Sequence, residues 1–129
     1  MIVDFLSQLK NTVMAKNESF EAPYSKLAES VAQALKTCGF VASVKSFKNS
    51  GESFKRLHIE VAFGESGEPI MSHLKIISKP SLRKYIKSKD IKKIRNGMGV
   101  QIISTPRGVL TGQESRKKAL GGEVICEVY

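Results

Sequence analysis

The sequence predicts an α+β protein made of two small subdomains. Apolar residues recur at helical spacing in the first third of the chain, whereas later ones alternate with polar residues as in half-buried strands. Near the middle of the chain the segment GESGEP, residues 64–69, holds two glycines, a proline and no large apolar group. We therefore expect an N-terminal α/β subdomain over residues 1–64 and a C-terminal, β-rich subdomain over residues 65–129.

The N-terminal subdomain is predicted as an α-α-β-β unit with its helices packed on one face of a small sheet. An apolar stripe predicts the first helix over residues 2–15, and Pro23 breaks the chain after it. Ser25 offers an N-cap for the second helix, and Gly39 suits the left-handed residue that ends it. A strand over residues 40–47, a turn at 49–51 and a second strand over 54–63 are predicted to follow.

The C-terminal subdomain is predicted as mostly strand with one short helix. Thr111 and Glu114 have the spacing of a capping box, which marks the start of that helix. Gly121 and Gly122 are expected to end it. The other predicted elements are strands near residues 74–77, 83–88, 100–104 and 123–129, a helical turn at 90–94 and a turn at 104–108.

The net charge of +9 is distributed unevenly. Residues 1–64 carry eight Lys and Arg against six Asp and Glu, whereas residues 65–129 carry thirteen against six. Residues 75–95 alone hold nine basic residues and one acid, Asp90. Such a run favours a polyanionic partner, because each cation that neutralises a phosphate releases a condensed counterion. A solvated, solubilising face is the ordinary alternative for a charge run.

Several classes of protein are disfavoured by the sequence. No stretch approaches the roughly 18 apolar residues of a membrane span, and Asp4 interrupts the apolar N-terminus, so we expect a cytoplasmic protein. Cys38 and Cys126 lack metal-ligand spacing, and His58 and His73 are isolated, so neither a metal nor a cofactor is expected. The chain contains none of the common catalytic motifs, and we do not expect an enzyme.

The segment STPRG carries the most distinctive local chemistry. Ser104 and Thr105 present two hydroxyls beside the cation of Arg107, and Gly108 lets the backbone turn or approach a ligand closely. These groups suit the sugars, phosphates and base edges of the shallow RNA minor groove. The local pattern fits an ordinary polar turn equally well. Together with the basic run, it favours RNA.

Three longer stretches carry a resemblance to a known family. They are ISKPSLRKY, GMGVQIISTPRGVLT and ESRKKALGGEVICEVY, in this order. In sequence and spacing they resemble the bacterial small-subunit ribosomal protein numbered eight, the S-eight family. The stretches IVDFLSQLKN and PYSKLAESVAQALKTCGF are similar, less closely, to the first two helices of that family.

The resemblance implies a structural protein that binds 16S rRNA directly, at an irregular helix of the central domain, and supports subunit assembly and translation. It also implies neighbouring small-subunit proteins as partners, such as protein five, and for some members their own messenger RNA. The residues that match RNA-contacting positions of the family are Ser104, Thr105, Pro106, Arg107, Gly108, Gly121, Gly122, Glu123, Tyr85, Arg83, Lys84, Lys10 and Asn11.

The chain departs from the family pattern at a few positions. Pro106 stands where the family usually has a third hydroxyl residue, and Gln8 and Lys10 replace an arginine pair. Gly112 and Gln113 replace an aspartate and an arginine. These departures bear on the individual contacts and on messenger autoregulation. A general basic RNA- or DNA-binding protein, or a messenger-binding translational repressor, is the alternative function.

Overall fold

The computed structural model describes residues 2–92 and 99–129. The chain forms two compact units, Met1–Ser72 and His73–Tyr129, and the α+β fold class is confirmed. The division falls after residue 72 rather than after residue 64, because residues 64–69 form a turn inside the first unit. In that turn the Gly64 amide donates to the Glu68 carbonyl at 2.8 Å.

The first unit has the order α-β-α-β-β. One strand, β1, was missed in the sequence because Ala22 is its only buried residue, so it shows no alternation of large apolar side chains. The three strands form one antiparallel sheet in the order β1-β3-β2. The elements are α1 Ile2–Met14, β1 Ser19–Pro23, α2 Lys26–Thr37, β2 Val41–Phe47 and β3 Arg56–Val61.

The helices of the first unit begin and end as predicted. The Ala28 amide donates to the Ser25 hydroxyl at 3.0 Å at the start of α2, and Gly39 follows its end with φ +88°. Most apolar residues of both helices are buried, although Met14 and Leu27 are exposed, and α1 contacts β1 while α2 contacts β2. Leu57, Ile59 and Val61 are the buried positions of β3.

The second unit is mainly strand. Its sheet has the order β4-β8-β6-β7, and β5 also pairs with β8. The predicted helical turn at 90–94 is replaced by a 3-10 turn at Ser88–Asp90, and residues 93–94 of that prediction lie outside the described residues. The elements are β4 Leu74–Ile76, β5 Tyr85–Ile86, β6 Val100–Thr105, β7 Gly108–Thr111, α3 Gly112–Lys117 and β8 Gly122–Val128.

The start of α3 was predicted correctly and its end was not. The Glu114 amide donates to the Thr111 hydroxyl at 3.2 Å, and the Thr111 amide donates to the Glu114 carboxylate at 3.3 Å, which completes the capping box. The helix ends at Lys117, and Ala119 takes the left-handed conformation with φ +55°. Gly122 already belongs to β8, so Gly121 and Gly122 do not end the helix as predicted.

The core of the second unit lies along β6 and β8, whose central side chains are fully buried. Cys126 is among them, and burial raises the pKa of its thiol to about 12. The thiol therefore stays protonated and packs as a small apolar group. Within residues 2–92 and 99–129, no helix is long and apolar enough to cross a membrane.

Candidate nucleic-acid interface

The STPRG segment forms a two-residue hairpin turn between β6 and β7. Thr105 pairs with Gly108, and Pro106 and Arg107 form the tip. The Thr105 hydroxyl donates to the Gly108 carbonyl at 2.7 Å and accepts from the Arg107 amide at 3.2 Å. This hydroxyl is buried and satisfied inside the turn, so it holds the turn rather than facing solvent.

The turn leaves the side chains of Ser104 and Arg107 available to a ligand. The Ser104 hydroxyl is half-buried and has no hydrogen-bond partner among the described residues. Arg107 is exposed at the tip and makes no ion pair with any described residue. Pro106 fixes the backbone for the first central turn position, where proline is favoured. It therefore preserves the turn although it supplies no hydroxyl.

The glycine pair allows three strands to approach each other closely. A Cβ on Gly122 would overlap the Ser104 carbonyl oxygen of β6 and lie 3.1 Å from the Thr105 Cα. A Cβ on Gly121 would lie 2.5 Å from the Ile86 carbonyl oxygen of β5. These contacts involve backbone atoms that cannot rotate away, so both positions require glycine.

Tyr85 and Arg83 lie beside β8 at the same end of the sheet. Tyr85 pairs with Glu123 and is 74% exposed, the most exposed large apolar side chain of this unit among the described residues. The Arg83 guanidinium contacts the Glu123 carboxylate at 3.1 Å. That carboxylate is largely buried, so it fixes the guanidinium next to the tyrosine.

The strand register places side chains from four strands in one row. Ser104 of β6 pairs with Val109 of β7 on one side and with Glu123 of β8 on the other. Glu123 in turn pairs with Tyr85 of β5. Directly paired residues in a sheet project to the same face, so the row reads valine, hydroxyl, carboxylate, aromatic. We call Ser104, Arg107, Glu123, Tyr85 and Arg83 the hairpin-end cluster.

One residue that positions this cluster was not identified from the sequence. Ser78 is buried, and its hydroxyl accepts from the Lys84 amide at 3.0 Å and donates to the Lys84 carbonyl at 3.3 Å. The same carbonyl accepts from the Val124 amide of β8 at 2.9 Å. Ser78 thus ties the base of the loop at residues 79–83 to β8, and Lys84 contributes through its backbone while its side chain is exposed.

Substitution of Ser78 with alanine should loosen this loop. Two buried hydrogen bonds are lost, which costs about 1–3 kcal/mol of unfolding free energy, and hydrogen exchange at the Lys84 amide should accelerate. Ser78→Thr keeps the hydroxyl and should restore most of the protection. Unchanged exchange at Lys84 in Ser78→Ala, measured by NMR, would contradict the assigned tie.

The net positive charge of the chain lies entirely in the second unit. Residues 73–129 contain thirteen Lys and Arg against four Asp and Glu, whereas residues 1–72 contain eight of each. Lys10 and Asn11 lie on α1 in the first unit, half-buried and exposed respectively. No group of three His, Cys, Asp or Glu side chains in the described part of the chain could hold a metal ion.

Comparison with known proteins decides the family. The sequence model of the family described as Ribosomal protein S8 matches residues 1–129. The chain belongs to this family. It is 42% identical to small ribosomal subunit protein uS8 of Streptococcus thermophilus over 128 residues, which cover 99% of this chain and 96% of the relative. Identity to the proteins of the same name is 40% in Pediococcus pentosaceus and 37% in Koribacter versatilis, again over 99% of this chain and over 96% and 95% of those relatives.

Membership of the S8 family confirms the resemblance and extends it to the N-terminal half, where the sequence similarity was weaker. The family consists of structural, non-enzymatic components of the ribosome. The expectations of a non-catalytic protein and of a ribosomal, cytoplasmic location are confirmed on this basis.

Proposed function

We propose that this chain binds 16S rRNA directly as a structural constituent of the small ribosomal subunit, and that the hairpin-end cluster makes the specific contact. Its relatives are named small ribosomal subunit proteins, which supports the subunit assignment. The observation that carries the RNA contact is the row of side chains across four strands, in the unit that holds all of the net positive charge.

Four members of the hairpin-end cluster suit different parts of an irregular RNA helix. The exposed ring of Tyr85 can stack on an unpaired base, and the Ser104 hydroxyl can donate to or accept from a sugar or base edge. The guanidinium groups of Arg83 and Arg107 can contact phosphates. Base-paired RNA buries its base faces and hides its major groove, so this combination favours helices with unpaired bases.

The remaining assignments extend this proposal through the family resemblance. Lys10 and Asn11 would give α1 a second contact with the same RNA. Protein five and other small-subunit proteins would be neighbours, and a messenger hairpin of similar shape would be a second ligand. The replacement of a hydroxyl residue by Pro106 removes one side-chain donor and one backbone amide from the turn.

A titration at fixed moderate salt tests the proposal. It compares the central-domain helix of 16S rRNA with a fully paired duplex of equal length. Ser104→Ala should weaken binding to the irregular helix by roughly 3- to 10-fold, the value of one hydrogen bond, and leave the duplex unaffected. The matched control is Ser81→Ala, which removes an exposed hydroxyl from a nearby turn.

Two outcomes would contradict the proposal. Equal, steeply salt-dependent binding of the unaltered protein to both RNAs would favour a general basic nucleic-acid-binding protein. Equal losses for Ser104→Ala and Ser81→Ala would remove the row from recognition, because only Ser104 belongs to it.

A further inference from the structure

A second group of cations lies beside α3 in the second unit, outside the hairpin-end cluster. Together with an apolar residue it lines a shallow groove of about 160 Å³. The lining residues are Ile91, Lys92, Gln113, Arg116 and Lys117.

The groove is lined mainly by apolar surface, to which the Lys and Arg residues also contribute. Gln113, Arg116 and Lys117 have the spacing of one helix face, so they line the α3 side together. Ile91 is buried, and its methyl group would lie 3.3 Å from a Cβ placed on Gly112 at the start of α3. Lys92 follows Ile91 and contributes a third cation.

These three cations, Lys92, Arg116 and Lys117, form no ion pair with any residue in the described part of the chain. The nearby Glu114 is engaged by Thr111 in the capping box. Unpaired like charges on neighbouring positions repel, so an external anion would stabilise the arrangement. A mainly apolar lining that carries cations suits a ligand that has apolar sugar faces and anionic groups.

We propose that this groove, defined by the five lining residues, binds the sugar–phosphate backbone of RNA as an anchor separate from the hairpin-end cluster. The proposal rests on the proposed RNA-binding function and deepens it. Thr111, where β7 passes into α3, is three residues along the strand from Gly108 at the turn. That distance is about 10 Å, so one RNA helix could contact both places.

Triple substitution in the groove tests the anchor. Lys92→Gln, Arg116→Gln and Lys117→Gln together remove three positive charges from the net +9. The matched control carries Lys26→Gln, Lys36→Gln and Lys48→Gln, which are exposed in the first unit and lower the net charge equally. Binding of both full-length variants to the central-domain helix and to the plain duplex is titrated at several salt concentrations. Hydroxyl-radical footprints are recorded in parallel.

We expect the groove variant to lose about tenfold or more in affinity for both RNAs at physiological salt. The slope of log affinity against log salt should become shallower by about 2 to 3, since each phosphate contact contributes about 0.9. The preference for the irregular helix should be kept, and one protected stretch of backbone should disappear from the footprint. The control variant should change the slope by less than about 1.

Different results separate this proposal from the one on which it rests. A groove variant whose slope and footprint equal those of the control would overturn the anchor, as would a loss confined to the irregular helix. Lack of preference for the irregular helix in the unaltered protein would contradict the proposed function instead. The slope comparison would then still test the groove, because an anchor on phosphates acts on any RNA.

Discussion

Gly122→Ala should destabilise the second unit more than any other single methyl group added there. The new Cβ would overlap the Ser104 carbonyl oxygen and lie 2.8 Å from the Ser104 carbonyl carbon. Both atoms are backbone of β6, so relief requires moving one strand away from the other. Overpacking of this kind costs about 3 kcal/mol or more where nothing can rotate away. Denaturant unfolding should show the loss as a lower midpoint.

The same substitution should also reduce RNA binding. Separation of β6 from β8 breaks the pairing of Ser104 with Glu123, which aligns the row in the hairpin-end cluster. Affinity for the irregular helix should fall at least tenfold, measured on the folded variant at low temperature.

Gly67→Ala is the matched control for this substitution. Gly67 has φ +84° and no atom within 4 Å of a new Cβ, so only backbone strain opposes the change. We expect a loss of about 1 kcal/mol and normal RNA binding. If Gly122→Ala proved as stable as Gly67→Ala, the close approach of β6 and β8 would be refuted.

Elements whose signals are local were predicted from the sequence, and those defined by pairing were not. The Ser25 cap and the Thr111–Glu114 capping box lie within one helical turn of the residues they serve, so the sequence displays them. In contrast, β1 buries Ala22 alone and becomes a strand through its pairing with β3. Gly122 is required because β8 passes close to the backbone of Ser104 in β6. Ser104 lies eighteen positions earlier, so the sequence does not reveal this contact.

In the candidate site, too, the residue types could be predicted from the sequence, whereas their roles depend on the fold. The sequence pointed to two hydroxyls in STPRG, but it could not show that Thr105 holds the turn while Ser104 faces outward. That difference arises because strand residues alternate between faces. Ser78 was overlooked for a related reason: its partner Lys84 is brought to it by the turn between them.

The net charge separates more sharply between the two compact units than between residues 1–64 and 65–129. A cut after residue 64 assigns Glu65 and Glu68 to the basic half. Both acids belong to the first unit, where Glu68 pairs with Lys16 at 3.0 Å. With these two acids counted there, the first unit has no net charge and the second unit carries the whole net charge of +9. This strengthens the expectation that phosphate contacts concentrate in the second unit.

Tyr85→Ala should produce the largest loss of specific RNA binding at no cost in stability. The ring is 74% exposed, so its removal takes little from the core and should leave the unfolding midpoint unchanged. Stacking of a base on an aromatic ring contributes about 1–3 kcal/mol, so affinity for the irregular helix should fall roughly 10- to 100-fold. The paired duplex offers no base face and should bind as before.

Two companion variants separate stacking from other roles of Tyr85. Tyr85→Phe keeps the ring and should retain most of the affinity if stacking is the main contribution. Leu82→Ala removes another exposed apolar side chain from the adjacent turn, and should leave both RNAs bound as tightly as before. A loss in Tyr85→Ala that is equal for the irregular helix and the duplex would show that the ring contacts the backbone. Recognition would then rest on Ser104 and its neighbours, because the tyrosine would no longer discriminate between paired and unpaired bases.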